Sequence, residues 1–310
     1  IILMSLQQNN NRITGIKNLE LLAHQIVEGF ISGMHKSPFH GFSAEFAEHK
    51  IYNTGENTKN IDWKLFARTD RLYTKQYEEE TNMRCHIIID NSSSMHYPIV
   101  KQHETYLENK IGFSVLTASV LLQLLKRQRD AAGLSIYSDT YEFYTGEKGS
   151  DKHFRMLFDV LEKTLKNPVQ PKKTKSTEFL HQIAENIHRR SMVVLLTDFF
   201  EDTNEKELFE ALKHLKYNKH KVVLFHVHDA EKEGLLHFGN QPKKFIDVET
   251  GETIQLFPEQ VQQEYAQKVT EFFKRTELLC AQYRISYVKA PIQNSFENIL
   301  TTYLTERQKF

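Results

Sequence analysis

Cysteine is scarce in this 310-residue chain: Cys85 and Cys280 are the only two, and no CxxC pair exists. A disulfide framework and a zinc knuckle are therefore excluded as organising devices. Net charge is lacking too, since Lys+Arg and Asp+Glu both number 40, and no basic footprint for nucleic acid is visible at whole-chain level. No long apolar run exists. The longest, "FSVLTASVLLQLL" (113–125), is interrupted by Ser, Thr and Gln and is too short to span a bilayer. The opening "IILM" is too short for a signal-peptide core, so the expectation is a soluble, cytoplasmic protein of bacterial style. Phosphate-cradling and hydrolase motifs are missing as well: "GEKGSDK" is not a Walker A loop, and neither G-x-S-x-G nor H-E-x-x-H occurs.

At 40% hydrophobic and 26% charged, the chain has ample material for a core. Residues 18–34 place Leu19, Leu22, Ile26, Phe30 and Met34 at helical spacing. From 39 to 80 short β-like segments and turn residues follow, which suggests a small N-terminal helix/β module over residues 1–80. After residue 84 strands and helices alternate. "CHIII" (85–89), "SMVVLLTD" (191–198) and "KVVLFHVHD" (221–229) read as buried strands, and Tyr106 to Gln128 as a long helix. "AAGLSIYS" and "TYEFYT" read as a hairpin, and so do the two arms around Thr250-Gly251, an insertion near 235–256. The alternation predicts an α/β domain over 81–310 with a mainly parallel central sheet and helices on both faces.

In such sheets ligands sit beyond the carboxyl ends of the strands. Asp90 and Asp198 both stand at strand ends, and Asp90, Ser92 and Ser94 form D-x-S-x-S. Alternate residues of a tight loop can turn their oxygens around one small hard cation, with hydroxyls adding ligands but no charge. Thr177 and Asp198 are candidates to complete that shell. The plainer reading makes Asp90 the cap of an Asx-type turn and the serines loop filler.

These residues carry a resemblance. The set Asp90, Ser92, Ser94, Thr177 and Asp198 resembles the metal-ion-dependent adhesion site of von Willebrand factor A-type domains. The stretch "EFAEHKIYNTGENTKNIDWKLFARTDRLYTKQYEEE" (45–80) resembles the signature of the bacterial "domain of unknown function 58" proteins. It carries Glu45-Phe46, Tyr52 to Glu56 with Gly55, Ile61-Asp62-Trp63 and Ala67-Arg68, as structural or partner-binding positions. Lys50 and Lys59 stand where that signature has Arg, and Thr177 lacks the Gly that often precedes it. The resemblance implies an A-type fold and one Mg²⁺ or Mn²⁺ ion. It also implies a non-catalytic role in protein–protein contact, with an acidic side chain of the partner completing the metal shell. A MoxR-type AAA+ ATPase is the partner it points to first.

Other chemistries fit these residues less well. Haloacid-dehalogenase-like phosphatases carry a second Asp two residues after the first; here Ser92 occupies that position, though a metal-dependent phosphoesterase using the same cluster stays open as an alternative. A metal-free scaffold acting by shape is the other. His226 and His228 share one strand face and read as a core pair rather than as ligands. The basic stretch 167–176 reads as a solvated loop or as a rim attracting an acidic partner. Asp62 and Arg68 are candidates to pair, Trp63 to anchor packing, and Glu78 to Glu80 to form a solvated acidic end.

Overall fold

The computed structural model describes residues 18–34, 49–51, 63–75, 83–99, 109–166, 176–199, 205–247, 251–293 and 296–308. The chain divides into two compact units, one running over Ile1–Gly29 and Met83–Phe310, the other over Phe30–Asn82. In the smaller unit, strand β1 (His49–Ile51) pairs antiparallel with β2 (Tyr73–Lys75), and helix α2 (Trp63–Thr69) lies between them in sequence. Helix α1 (Leu19–Met34) begins in the larger unit. There Leu19, Leu22, Ala23 and Val27 are buried, and Glu20 pairs with Lys126 at 2.8 Å.

The larger unit is built on a six-stranded sheet of order β10-β7-β6-β3-β4-β5. Its strands are β3 (Arg84–Asp90), β4 (Ala131–Tyr137), β5 (Tyr141–Lys148), β6 (Met192–Thr197), β7 (Lys221–His228) and β10 (Ser286–Pro291). All neighbours are parallel except β5, which pairs antiparallel with β4 at one edge. This is the mainly parallel sheet that the alternating pattern predicts. The central strands are continuous apolar runs because helices cover both their faces.

On one face lies α3 (Lys110–Arg127), buried along nearly all of its first four turns, with α4 (Asp151–Lys166) packed beside it. On the other, α5 (Ser176–Asn186) and α6 (Glu205–Tyr217) bring Phe179, Leu180, Ile183, Phe209 and Leu212 against Ile88, Val193, Leu195 and Leu224. Helices α7 (Pro258–Gln282) and α8 (Phe296–Gln308) flank β10, and strands β8 (Lys243–Ile246) and β9 (Thr253–Leu256) form a separate antiparallel hairpin. Among the described residues, no helix is long and apolar enough to cross a membrane.

Two local features depart from simple periodicity. The apolar spacing that begins at Leu107 extends the expected helix back to Tyr106, but α3 starts at Lys110. Asn109 leaves helical geometry (φ −144°, ψ 171°) and caps the helix by accepting from the Gly112 N–H at 2.9 Å. In the sheet centre, His86 is fully buried between Ser135 (2.7 Å) and Glu147 (2.7 Å). Gly133 stands opposite His86 in register, and a Cβ there would lie 2.5 Å from the imidazole Nδ1. The glycine is required by that close approach. Both cysteines are buried thiols, and burial pushes each pKa upward.

Candidate functional site

Strand β3 sits between β4 and β6; its connection leads to β4 on one side, whereas that of β6 leads to β7 on the other. The β3/β6 boundary is thus where the strand order reverses, the place such sheets offer for a ligand. Register pairs Ile89 with Leu196, which sets Asp90 beside Thr197 and brings Asp198 to the same end of the sheet.

Asp90 is 1% exposed, and each of its carboxylate oxygens accepts one hydrogen bond. Its Oδ1 accepts from the Ser92 N–H at 2.9 Å, and its Oδ2 accepts from the Thr197 hydroxyl at 2.8 Å. The first bond is the Asx-type turn of the plainer reading, so that turn is present within the cluster. It carries the chain into a single 3₁₀ turn, Ser93–His96, and sets the Ser92 and Ser94 hydroxyls 3.1 Å apart, both buried. Asn91 fixes the loop from outside. Its N–H donates to the Tyr137 carbonyl at 2.7 Å, its side-chain amide donates to Glu142 at 2.8 Å, and its Oδ1 lies 3.0 Å from His96 Nε2.

Burial raises the Asp90 pKa, and the nearby Asp198 carboxylate raises it further, against the opposing hydrogen bonds from Ser92 and Thr197. Two carboxylates that repel each other across a buried strand end are a site in want of positive charge. One positive charge is already there, and the sequence reading missed it. Lys110, 1% exposed, extends its ammonium to Asp198 Oδ2 at 2.8 Å and contacts Glu233 Oε1 as well. Burial alone would lower the lysine pKa, but Asp198 and Glu233 outweigh it and hold the ammonium charged. Glu233 belongs to a π-helical turn, Ala230–Gly234, capped by Asp229, which accepts from the N–H groups of Glu231 and Lys232. Burial raises the Glu233 pKa despite the lysine. A signal for Lys110 existed: it is the one charge in α3 before Lys126. Thr197, Asn91 and Glu233 had no signal, being ordinary polar residues until the strands assemble.

Thr177 lies within the first turn of α5. Its hydroxyl is shielded from solvent and has no hydrogen-bond partner. Phe179, two residues on, packs its ring 5.8 Å from that of Tyr137, the residue opposite Asp90 in register. The structure thus brings Asp90, Ser92, Ser94 and Asp198 to one strand-end cluster and places Thr177 on the helix that abuts it. Among the described residues, no group of three or more His, Cys, Asp or Glu gathers as a metal site. The cluster's donors are two carboxylates and hydroxyls, an all-oxygen set that suits a hard cation and not zinc or copper. The orphaned Thr177 hydroxyl and the Asp90–Asp198 repulsion both fit such an ion.

His226 and His228 serve packing. His226 Nδ1 lies 2.6 Å from the Tyr287 hydroxyl, His228 Nδ1 lies 3.1 Å from the His226 carbonyl, and both rings pack against Phe273, His226 edge-on and His228 tilted. Of the signature positions, Arg68 is an exposed residue of α2 and Trp63 opens that helix. Glu45, Phe46, Tyr52, Gly55 and Asp62 lie outside the described residues, as do residues 167–175 and Glu78 to Glu80.

A sequence model of one protein family, "Protein of unknown function DUF58", matches residues 48–274, well over half of the chain. A curated relative, "Uncharacterized protein Rv1480" of Mycobacterium tuberculosis, is 26% identical over 82 residues, and the match spans 26% of this chain and 26% of the relative. This chain therefore covers about a quarter of the length of the curated relatives it matches. Among solved structures, the conserved hypothetical protein BatB from Bacteroides thetaiotaomicron aligns at 15% identity with a TM-score of 0.47, covering 74% of this chain and all of BatB. The SpRpn10 VWA domain aligns at 15% identity with a TM-score of 0.40, covering 71% of this chain and 94% of that one.

Proposed function

The chain belongs to the DUF58 family, and on that footing we propose that it is a non-catalytic, cation-dependent protein-interaction module whose contact point is the β3/β6 strand end. The observation that carries this reading is the pair Asp90 and Asp198, buried at the carboxyl ends of adjacent parallel strands among serine hydroxyls. Asp90, Ser92, Ser94, Thr177 and Asp198 would hold one Mg²⁺ or Mn²⁺ ion, Asp198 directly or through water. When bound, the ion supplies an electrophilic position that a partner's carboxylate can occupy. The chain's own residues do the rest. Thr197 and the Ser92 N–H keep Asp90 from rotating, and Asn91 braces the loop on Glu142. The partner is a protein presenting an acidic side chain, with a MoxR-type AAA+ ATPase the first candidate because of the family resemblance, and the setting is cytoplasmic.

One observation favours the metal-free alternative: the Lys110 ammonium already neutralises Asp198. Co-purification of a candidate ATPase with the wild type, Asp90→Ala and chelator-treated protein separates the readings. Capture lost in chelator and in Asp90→Ala supports the cation-dependent contact, whereas capture indifferent to both supports the scaffold. Turnover of generic phosphoesters that Asp90→Ala abolishes would overturn the non-catalytic role in favour of a phosphoesterase.

A further inference from the structure

We propose that Lys110 sets the cation affinity of this site, acting as a tethered counter-charge that Asp198 must surrender or share before a divalent ion is held. The inference rests on the cation reading above and adds the residue that tunes it.

Lys110 is placed with care. Asn109 caps the helix just before it, and its own N–H donates to the Tyr97 carbonyl at 3.2 Å. From there the side chain reaches both Asp198, just past β6, and Glu233, just past β7. One residue thus ties together the segments that follow β3, β6 and β7. A buried ammonium is tolerated only with such partners.

Glu233 gives the lysine a second place to rest. Its Oε2 accepts from the Asp229 N–H at 2.8 Å, and its backbone carbonyl accepts from the Tyr265 hydroxyl at 2.8 Å, so this carboxylate is anchored independently of Asp198. Lys110 can release Asp198 and keep Glu233. The charges then follow a simple count: Asp90, Asp198 and Glu233 contribute three negative charges and Lys110 one positive. A divalent ion brings the group to neutrality, but it does so next to an ammonium that repels it across a poorly screened interior. Affinity for the bare ion is therefore held down. A carboxylate arriving on a partner offsets the repulsion, so ion and partner bind together better than either does alone.

The test is calorimetric titration of Mg²⁺ into chelator-stripped wild type, Lys110→Met and Glu233→Gln. Removing the ammonium is expected to tighten Mg²⁺ binding by roughly tenfold or more. Glu233→Gln, which leaves Lys110 with Asp198 alone, is expected to weaken it several-fold. The opposite signs are diagnostic, because a merely structural role would move both variants the same way. Binding unchanged in both, or weakened in both, would overturn the proposal while leaving the cation reading intact. No Mg²⁺ binding by any of the three proteins would overturn both. Should Lys110→Met fail to fold, Glu233→Gln decides: weaker binding supports the proposal, and equal or tighter binding defeats it.

Discussion

Replacing Asp90 by asparagine is expected to stabilise the cation-free protein while removing its response to Mg²⁺. The carboxyl is 1% exposed, and burial together with the Asp198 charge pushes its pKa from 3.8 up to about 7. A group whose folded-state pKa is raised holds its proton better when folded. Its contribution is fully present below the unfolded value and is lost as pH rises through the folded one. The shift of about three units corresponds to at most ~4 kcal/mol lost above pH ~7, at about 1.36 kcal/mol per unit. Asparagine keeps an acceptor for the Ser92 N–H and can donate to the Thr197 hydroxyl, so both anchoring bonds have substitutes. Allowing for relaxation around the charge, the expected gain near pH 8 is about 1–3 kcal/mol, shrinking toward zero near pH 4. Urea denaturation in chelator at several pH values measures it. An Asp90→Asn protein less stable than wild type near pH 8 would refute the reasoning, since the hydrogen-bond losses would then outweigh the relief of the buried charge.

Gly133→Ala is expected to cost about 2–4 kcal/mol in the same assay, because the new Cβ would lie 2.5 Å from His86 Nδ1 and the ring cannot retreat without breaking its bond to Glu147; a variant as stable as wild type would show that β3 and β4 have slack at this point. His220 is buried, accepts from the Ser191 N–H, and has its pKa held below 6.5 by burial. Its contribution is therefore complete above pH ~6.5 and lost as pH falls below that value, so His220→Asn is expected to reduce the acid-side slope of stability by up to ~1.4 kcal/mol per pH unit. An unchanged slope would place the acid sensitivity elsewhere. Thr197→Val removes the hydroxyl donor to Asp90 Oδ2 and is expected to cost about 1 kcal/mol at neutral pH and to weaken Mg²⁺ binding. Binding equal to wild type would show that Asp90 needs no such anchor.

The sheet was legible because its central strands are short, unbroken apolar runs: "CHIII" and "VVLLT" are buried at every position, and each ends at an aspartate. That arrangement also made Asp90 and Asp198 legible as a pair. The start of α3 was not, since Leu107 continues the helical spacing past a cap that only Asn109 announces. Lys110 stood out only as the one charge in α3 before Lys126, and its role was not legible for a deeper reason. A lone lysine at a helix start reads as solvated, and what reverses that reading lies 88 residues away at Asp198 and 123 at Glu233. Long-range electrostatic partners leave no periodic trace. The π-helical turn that presents Glu233 is equally silent, because its shape comes from Asp229 accepting two backbone N–H groups rather than from any apolar pattern.

The central claim, that the β3/β6 strand end holds a cation, is tested most directly by anomalous diffraction from crystals of the chelator-stripped protein soaked in millimolar Mn²⁺. The account predicts one manganese peak within coordinating distance of an Asp90 oxygen and the Ser92 and Ser94 hydroxyls, with Asp198 reaching it directly or through one water, and missing in Asp90→Ala. Saturating Mn²⁺ that leaves this strand end without a peak, with Lys110 still seated on Asp198, would contradict it.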